Sequence, residues 1–149
     1  MSHWLTNRLE EVQTRYDAWL QLRQRGEGRP AADAADVTTA RAAFLHDLAR
    51  LVEEVAERRG IHAVFASHDG LLVHCVGSQA EADALAAVAA SVVQPAYAAA
   101  RTLGLGELHQ VVFAGDERKL ALMMVGDISI GVLAPVGLHL AEVLAAQPA

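Results

Sequence analysis

One cysteine, Cys75, in 149 residues excludes an intramolecular disulfide, and such thiol usage is that of a reducing compartment, so the sequence predicts a cytoplasmic protein. A secretory leader is not evident either. Met1-Ser2-His3-Trp4 runs into a polar, charged segment without the apolar core that a signal peptide needs. Long apolar runs are missing as well. The least polar stretch, Ala84 to Ala100, is mostly alanine broken by Ser91, Gln94 and Pro95, so the sequence places it short of the roughly 20 strongly apolar residues of a spanning helix. A soluble chain is the expectation. Clustered charge is scarce: the net charge is −6 with acids and bases interspersed, which disfavours nucleic acid or an anionic membrane as partner. The short basic runs Arg23 to Arg29 and Arg58-Arg59 read as solvated helix ends.

The constellations of catalysis are also wanting. A phosphate-binding loop puts glycines between a strand and a helix start, whereas Gly104-Leu105-Gly106 follows a helical run and precedes a strand-like one. It reads as a helix stop. The seven histidines, His3, His46, His62, His68, His74, His109 and His139, show no pair at i, i+3 or i+4 on one helix. His62 and His74 can converge across a hairpin, but Cys75 points to the face opposite His74, because side chains alternate along a strand. Nothing from Val73 to Val76 supplies Cys75 with a base. Glu10-Glu11 and Glu53-Glu54 sit among bases on solvated helix faces. The sequence therefore predicts no enzyme, no cofactor and no metal.

What is present is a regular alternation of elements. Leu5, Leu9, Val12, Tyr16 and Trp19 recur at spacings of four and three, the seam of an amphipathic helix too short to stand alone. Gly26-Glu27-Gly28-Arg29-Pro30 and the alanines and aspartates up to Val37 read as a flexible connection, which sets a boundary between 1–37 and 38–149. A second helix is expected from Thr38, with Phe44, Leu45, Leu48, Leu51, Val52 and Val55 on one stripe. Ile61 to Ser67 and Leu71 to Val76 flank Asp69-Gly70, a strong hairpin signal. Ser78-Gln79-Ala80-Glu81 reads as a capping box, opening a helix that runs to Leu103. Strands are expected at Leu108 to Ala114, Lys119 to Val125 and Ile128 to Ala134, joined by links that permit only antiparallel neighbours, and a helix at Leu138 to Ala146. Ile128, Ile130 and Val132 alternate with Ser129, Gly131 and Leu133, so both faces of this α/β domain need cover. The architecture is a three-layer α/β/α sandwich preceded by an N-terminal amphipathic helix.

With those elements placed, Ala66-Ser67-His68-Asp69-Gly70-Leu71-Leu72 followed by Ala82 to Ala90, together with Leu103-Gly104-Leu105-Gly106-Glu107-Leu108 and Val125-Gly126-Asp127, resembles the Roadblock family of dynein light chains. The resemblance spans about Phe44 to Leu144. It implies a five-stranded antiparallel sheet with the central helix on one face, a homodimer formed through that helix and the neighbouring edge strand, and a scaffold that binds and regulates small Ras-like GTPases. The first 37 residues depart from the compact family core.

The central helix then divides into three stripes. Leu85, Val88, Val92, Ala96, Ala99 and Leu103 hold most of the bulk and are expected to face the sheet. Ala82, Ala86, Ala89, Val93, Tyr97 and Ala100 would let a second backbone approach closely and are assigned to the dimer. Asp83, Ala87, Ala90, Gln94 and Arg101 form the surface expected to meet a partner. The competing expectation is a small-molecule sensor or general interaction module without a GTPase, with its pocket between the sheet and this helix.

Overall fold

The computed structural model describes residues 3–26 and 31–145. Strands β1 (Ala63–His68) and β2 (Leu71–Val76) are closed by Asp69 at φ 51° and Gly70 at φ 81°. Two successive left-handed residues make a type I′ turn, whose twist matches that of the flanking strands. After α3 (Gln79–Thr102), β3 (Gln110–Ala114), β4 (Arg118–Val125) and β5 (Ile128–Pro135) form a meander. Strand β5 returns beside β1, so the sheet runs β2-β1-β5-β4-β3 with every pair antiparallel.

Because side chains alternate along each strand, the sheet builds two cores. Val64, Ala66, Val125, Ile128, Ile130 and Val132 face α1 (His3–Gly26) and α2 (Ala31–Ala56). Phe65, Leu120, Leu122 and Leu133 face α3. Leu144, just after the single turn α4 (Leu140–Val143), joins the first core. This is the expected three-layer sandwich.

Helix α1 belongs to that sandwich and is no appendage. It runs antiparallel to α2: Arg8 Nε and Nη2 bond Glu54 and Asp47 at 3.0 and 3.1 Å, its Nη1 bonds Glu11, and Arg15 forms an ion pair with Asp47 at 3.3 Å. Burial works to lower the Arg8 pKa, but its hydrogen bonds to Asp47, Glu11 and Glu54 outweigh burial and hold it above its ordinary value. Trp19 stacks on Phe44 with centroids 5.8 Å apart, and Tyr16 meets Phe44 edge-on at 5.2 Å. Further along, the Tyr16 hydroxyl bonds Asp127 at 2.9 Å and the Gly126 N–H donates to Gln13 at 2.9 Å, fastening α1 to the β4–β5 turn. Gly126 sits directly under the Tyr16 ring, where any Cβ would collide.

Two boundaries differ from the sequence expectation. Of the flexible connection expected from Gly26 to Val37, residues 27–30 lie outside the described residues, and Ala31 to Val37 are already helical. Alanine is the strongest helix former, and aspartates near an N-terminal end suit the helix dipole, so this stretch extends α2 rather than loosening it. The expected boundary at 37/38 thus falls inside a helix. The last helix, expected from Leu138 to Ala146, is only Leu140–Val143, and its N-cap residue His139 makes no capping side-chain bond. Residue 146 lies outside the described residues.

Candidate interaction surface

Helix α3 is capped at both ends. Ser78 caps it, its hydroxyl accepting the Glu81 N–H at 3.3 Å, but Glu81 does not complete the box and reaches instead to Arg118 at 3.2 Å. At the other end Leu105 N–H bonds Ala100 O at 3.0 Å and Gly104 N–H bonds Arg101 O at 3.1 Å, with Gly104 at φ +66°. This is a Schellman motif, which needs a left-handed residue after the last turn. The helix continues through Pro95.

The three stripes stand rotated from their expected places. Ala82, Ala86, Ala89, Val93 and Ala100, assigned from the sequence to the dimer, are buried against the sheet, and Tyr97 is half-buried beside them. The bulky stripe expected there is the one left outside: Val88 is 52% and Leu103 70% exposed, Ala99 is exposed, and Leu85, Val92 and Ala96 are half-buried. The reason lies in the sheet. Phe65, Leu120, Leu122 and Leu133 fill the interlayer space, and the Phe65 ring occupies the place of a Gly131 side chain. With the bulk on the strands, the helix must bring alanines to approach them.

The displaced bulky flank lies toward the β3 side of the domain, since Glu81 on the same flank meets Arg118 at the start of β4. Phe113, 43% exposed, stands on the α3 face of β3, two residues from Val111, while Leu105 at 64% projects from the loop leading to β3. Strand β3 carries no charge, Gln-Val-Val-Phe-Ala, and keeps unbroken register with β4 from Gln110↔Met123 to Ala114↔Lys119. Edge strands are usually blunted by charge, proline or a bulge. The opposite edge, β2, is so blunted: the register shifts at Ala66/Ser67, where Val73 is the extra residue. The sequence reading missed Phe113 and Leu105; the signal available was an uncharged strand beside a helix with more bulk than one face can bury.

Asp83, Ala87, Ala90, Gln94 and Arg101 are all exposed on the other flank of α3. Ala87 and Ala90 lie against Gly70 of the β1–β2 turn. By length and composition α3 meets the measure of a membrane-crossing helix, contrary to the sequence expectation; one side of it is nonetheless packed on the sheet.

Elsewhere the chemistry is sparse. His74 turns to the α2 side, 3.4 Å from Glu53, and Cys75 to the α3 side, as alternation requires. Among the described residues no three His, Cys, Asp or Glu side chains are grouped to hold a metal ion. Between α3 and the sheet the free space is small, about 10 Å³ near Val93, Tyr97 and Leu122 and about 80 Å³ near Ser67, Gly70 and Gln94, well under the volume of a typical ligand pocket.

Residues 47–134 match the Roadblock/LC7 domain family model. Among solved structures, a Roadblock/LC7 domain from Streptomyces avermitilis is 25% identical with a TM-score of 0.55, covering 62% of this chain and 80% of that one. The MglB protein of Myxococcus xanthus is 20% identical with a TM-score of 0.51, covering 64% and 71%. The gliding protein mglB of Thermus thermophilus is 20% identical with a TM-score of 0.50, covering 63% and 82%; these last two likenesses show the fold alone. No curated protein matches the sequence.

Proposed function

Because the chain belongs to the Roadblock/LC7 domain family, generally one of non-catalytic adaptors and regulators, we propose that it is a cytoplasmic homodimeric scaffold or regulator of a small Ras-like GTPase. The observation that carries this reading is the division of α3: its inner face is committed to the sheet, its bulky flank turns toward the β4 and β3 side, and its remaining flank is exposed, with Asp83 and Arg101 as its charges. Two copies pair through β3, with Val88, Leu103 and Phe113 closing the seam. That arrangement leaves Asp83, Ala87, Ala90, Gln94 and Arg101 of both copies for the GTPase. A large low-charge surface on a folded domain supports a contact role.

The test is direct. Purified protein mixed with the Ras-like GTPase encoded nearest to it is expected to co-elute, and Ala90→Arg, which adds bulk and charge to an exposed position, to weaken the complex by about tenfold or more. Failure to co-elute in either nucleotide state, or an unaffected Ala90→Arg complex, would overturn the reading. If hydrolysis accelerates, Arg101→Ala is expected to retain it within about twofold, because Arg101 in the last turn of α3 suits the helix dipole. A loss of about 10³-fold would instead identify an arginine finger supplied in trans.

A further inference from the structure

The face of the sheet opposite α3 is incompletely covered. Helices α1 and α2 lie over β1, β5 and the end of β4, while α4 is a single turn. Over β3 and β4 this leaves a groove of about 440 Å³. Its floor is one row of the ladder, Val112↔Ala121↔Val132, flanked by Met123, and the small Ala121 at the centre makes the indentation. Leu5 of α1 forms one wall; Leu140 and Leu144 form another.

The polar groups of this groove are Lys119, half-buried, with His139 and Gln110. Among the described residues no carboxylate lines it, in a chain whose net charge is −6. A concave apolar floor of this size with one cation at its end is the form of a small-molecule site, and the charge selects the ligand. We infer that the groove binds an amphipathic monoanion, a medium-chain carboxylate, with its hydrocarbon on Val112, Ala121, Met123 and Val132 and its head group at Lys119 and His139. Leu5, Leu140 and Leu144 all lie outside the segment that matches the family model, so both walls of the groove come from beyond residues 47–134. The site stands independently of the GTPase reading, because it lies on the other side of the sheet from α3.

The three methionines provide the assay. In protein labelled with ¹³C-methyl methionine, Met123 reports from the floor of the groove and Met124 from the opposite face. Titration with octanoate is expected to shift the Met123 methyl saturably, with a Kd on the order of 1 mM for a ligand of about ten heavy atoms, and to leave Met124 in place. Octylammonium is expected to bind about tenfold more weakly, and Lys119→Glu to weaken octanoate by about tenfold. Val112→Asp, at a position 46% exposed, is expected to abolish binding while the Met124 signal shows the fold intact. No saturable shift of Met123, an equal response to octylammonium, indifference to Lys119→Glu, or a joint shift of Met124 would each overturn the proposal.

Discussion

Replacing Leu103 by glutamate tests the proposed dimer at the most exposed apolar side chain of its seam. Fully burying a leucine contributes about 1.5–3 kcal/mol, and Leu103 has 70% of its surface free in the single chain, so covering it contributes about 1–2 kcal/mol. In a two-fold dimer the same patch is used by both copies, and the loss counts twice. The charge that replaces it must also be kept in water. Leu103→Glu should therefore raise the dimer Kd by at least about 100-fold, corresponding to roughly 3 kcal/mol. Phe113→Glu, starting from 43% exposure, should cost less, and the pair should leave a folded monomer. Sedimentation velocity over a concentration series measures this. Leu71→Glu supplies the control, since Leu71 is 73% exposed but stands on the bulged β2 edge. If Leu71→Glu dissociates the dimer and Leu103→Glu does not, or if the parent chain is monomeric at about 100 µM, the assignment of the β3 edge fails.

The interior yields three further expectations. Gly131→Ala places a Cβ in the Phe65 ring; against a gain of about 0.5–1 kcal/mol from replacing a strand glycine, overpacking of about 1–3 kcal/mol should win and lower Tm by several degrees. Phe65→Leu should relieve it in a double-mutant cycle, and an additive cycle would refute the contact. Arg8→Ala leaves Asp47 and Glu54 without their shared cation and should destabilise by about 2–4 kcal/mol in urea melts read by tryptophan fluorescence, the partial exposure of Glu54 keeping it below the cost at a fully buried pair; a change under about 0.5 kcal/mol would show that the cluster holds nothing. Burial and the bond to Asp127 raise the Tyr16 pKa above its ordinary 10.0, so the unfolded chain loses the proton first. Stability should fall as pH rises from about 10 through the raised value; Tyr16→Phe should flatten that slope, while Tyr97, also raised by burial and by Glu107, retains its own share.

The order of elements was readable because each signal was local. Asp69-Gly70 needs left-handed backbone, Ser78 caps within three residues, and Gly104 stops a helix whatever lies beside it. The site was harder. Which stripe of α3 faces inward depends on the volume that the opposing strands have already filled, and Phe65 and Leu133 are far from the helix in sequence. Bulk was therefore assigned to the wrong side of the interface, although the exposed flank with Asp83, Gln94 and Arg101 was placed on the surface. The helical start of α2 at Ala31 was obscured by Gly26, Gly28 and Pro30, whose breaking effect ends sooner than the composition around them indicates. The groove beneath β3 and β4 left no trace in periodicity. It exists because α4 is one turn long and Ala121 stands where a larger residue would fill the gap.

The placement of α1 decides how it can affect function. A helix that masked the flank of α3 proposed to meet a GTPase would have to lie on the same side of the sheet, yet α1 is fastened to α2 by Arg8 and to the β4–β5 turn by Tyr16 and Gln13, across the sheet from α3. Direct masking within one chain is thereby excluded. What α1 does touch is the groove, through Leu5, and the turn that joins β4 to β5, two strands away from the β2 edge and one from β3. An influence of α1 on the dimer has its most direct route through the sheet, as a change in β4 and its hold on the β3 edge, with a second route through α2 to β1 and β2. Releasing α1 by Arg8→Ala together with Tyr16→Phe should then weaken the dimer while leaving the affinity of each dimer for its GTPase unchanged. Measuring the dimer Kd and the GTPase Kd separately distinguishes this from masking, which would strengthen GTPase binding and leave the dimer as it was.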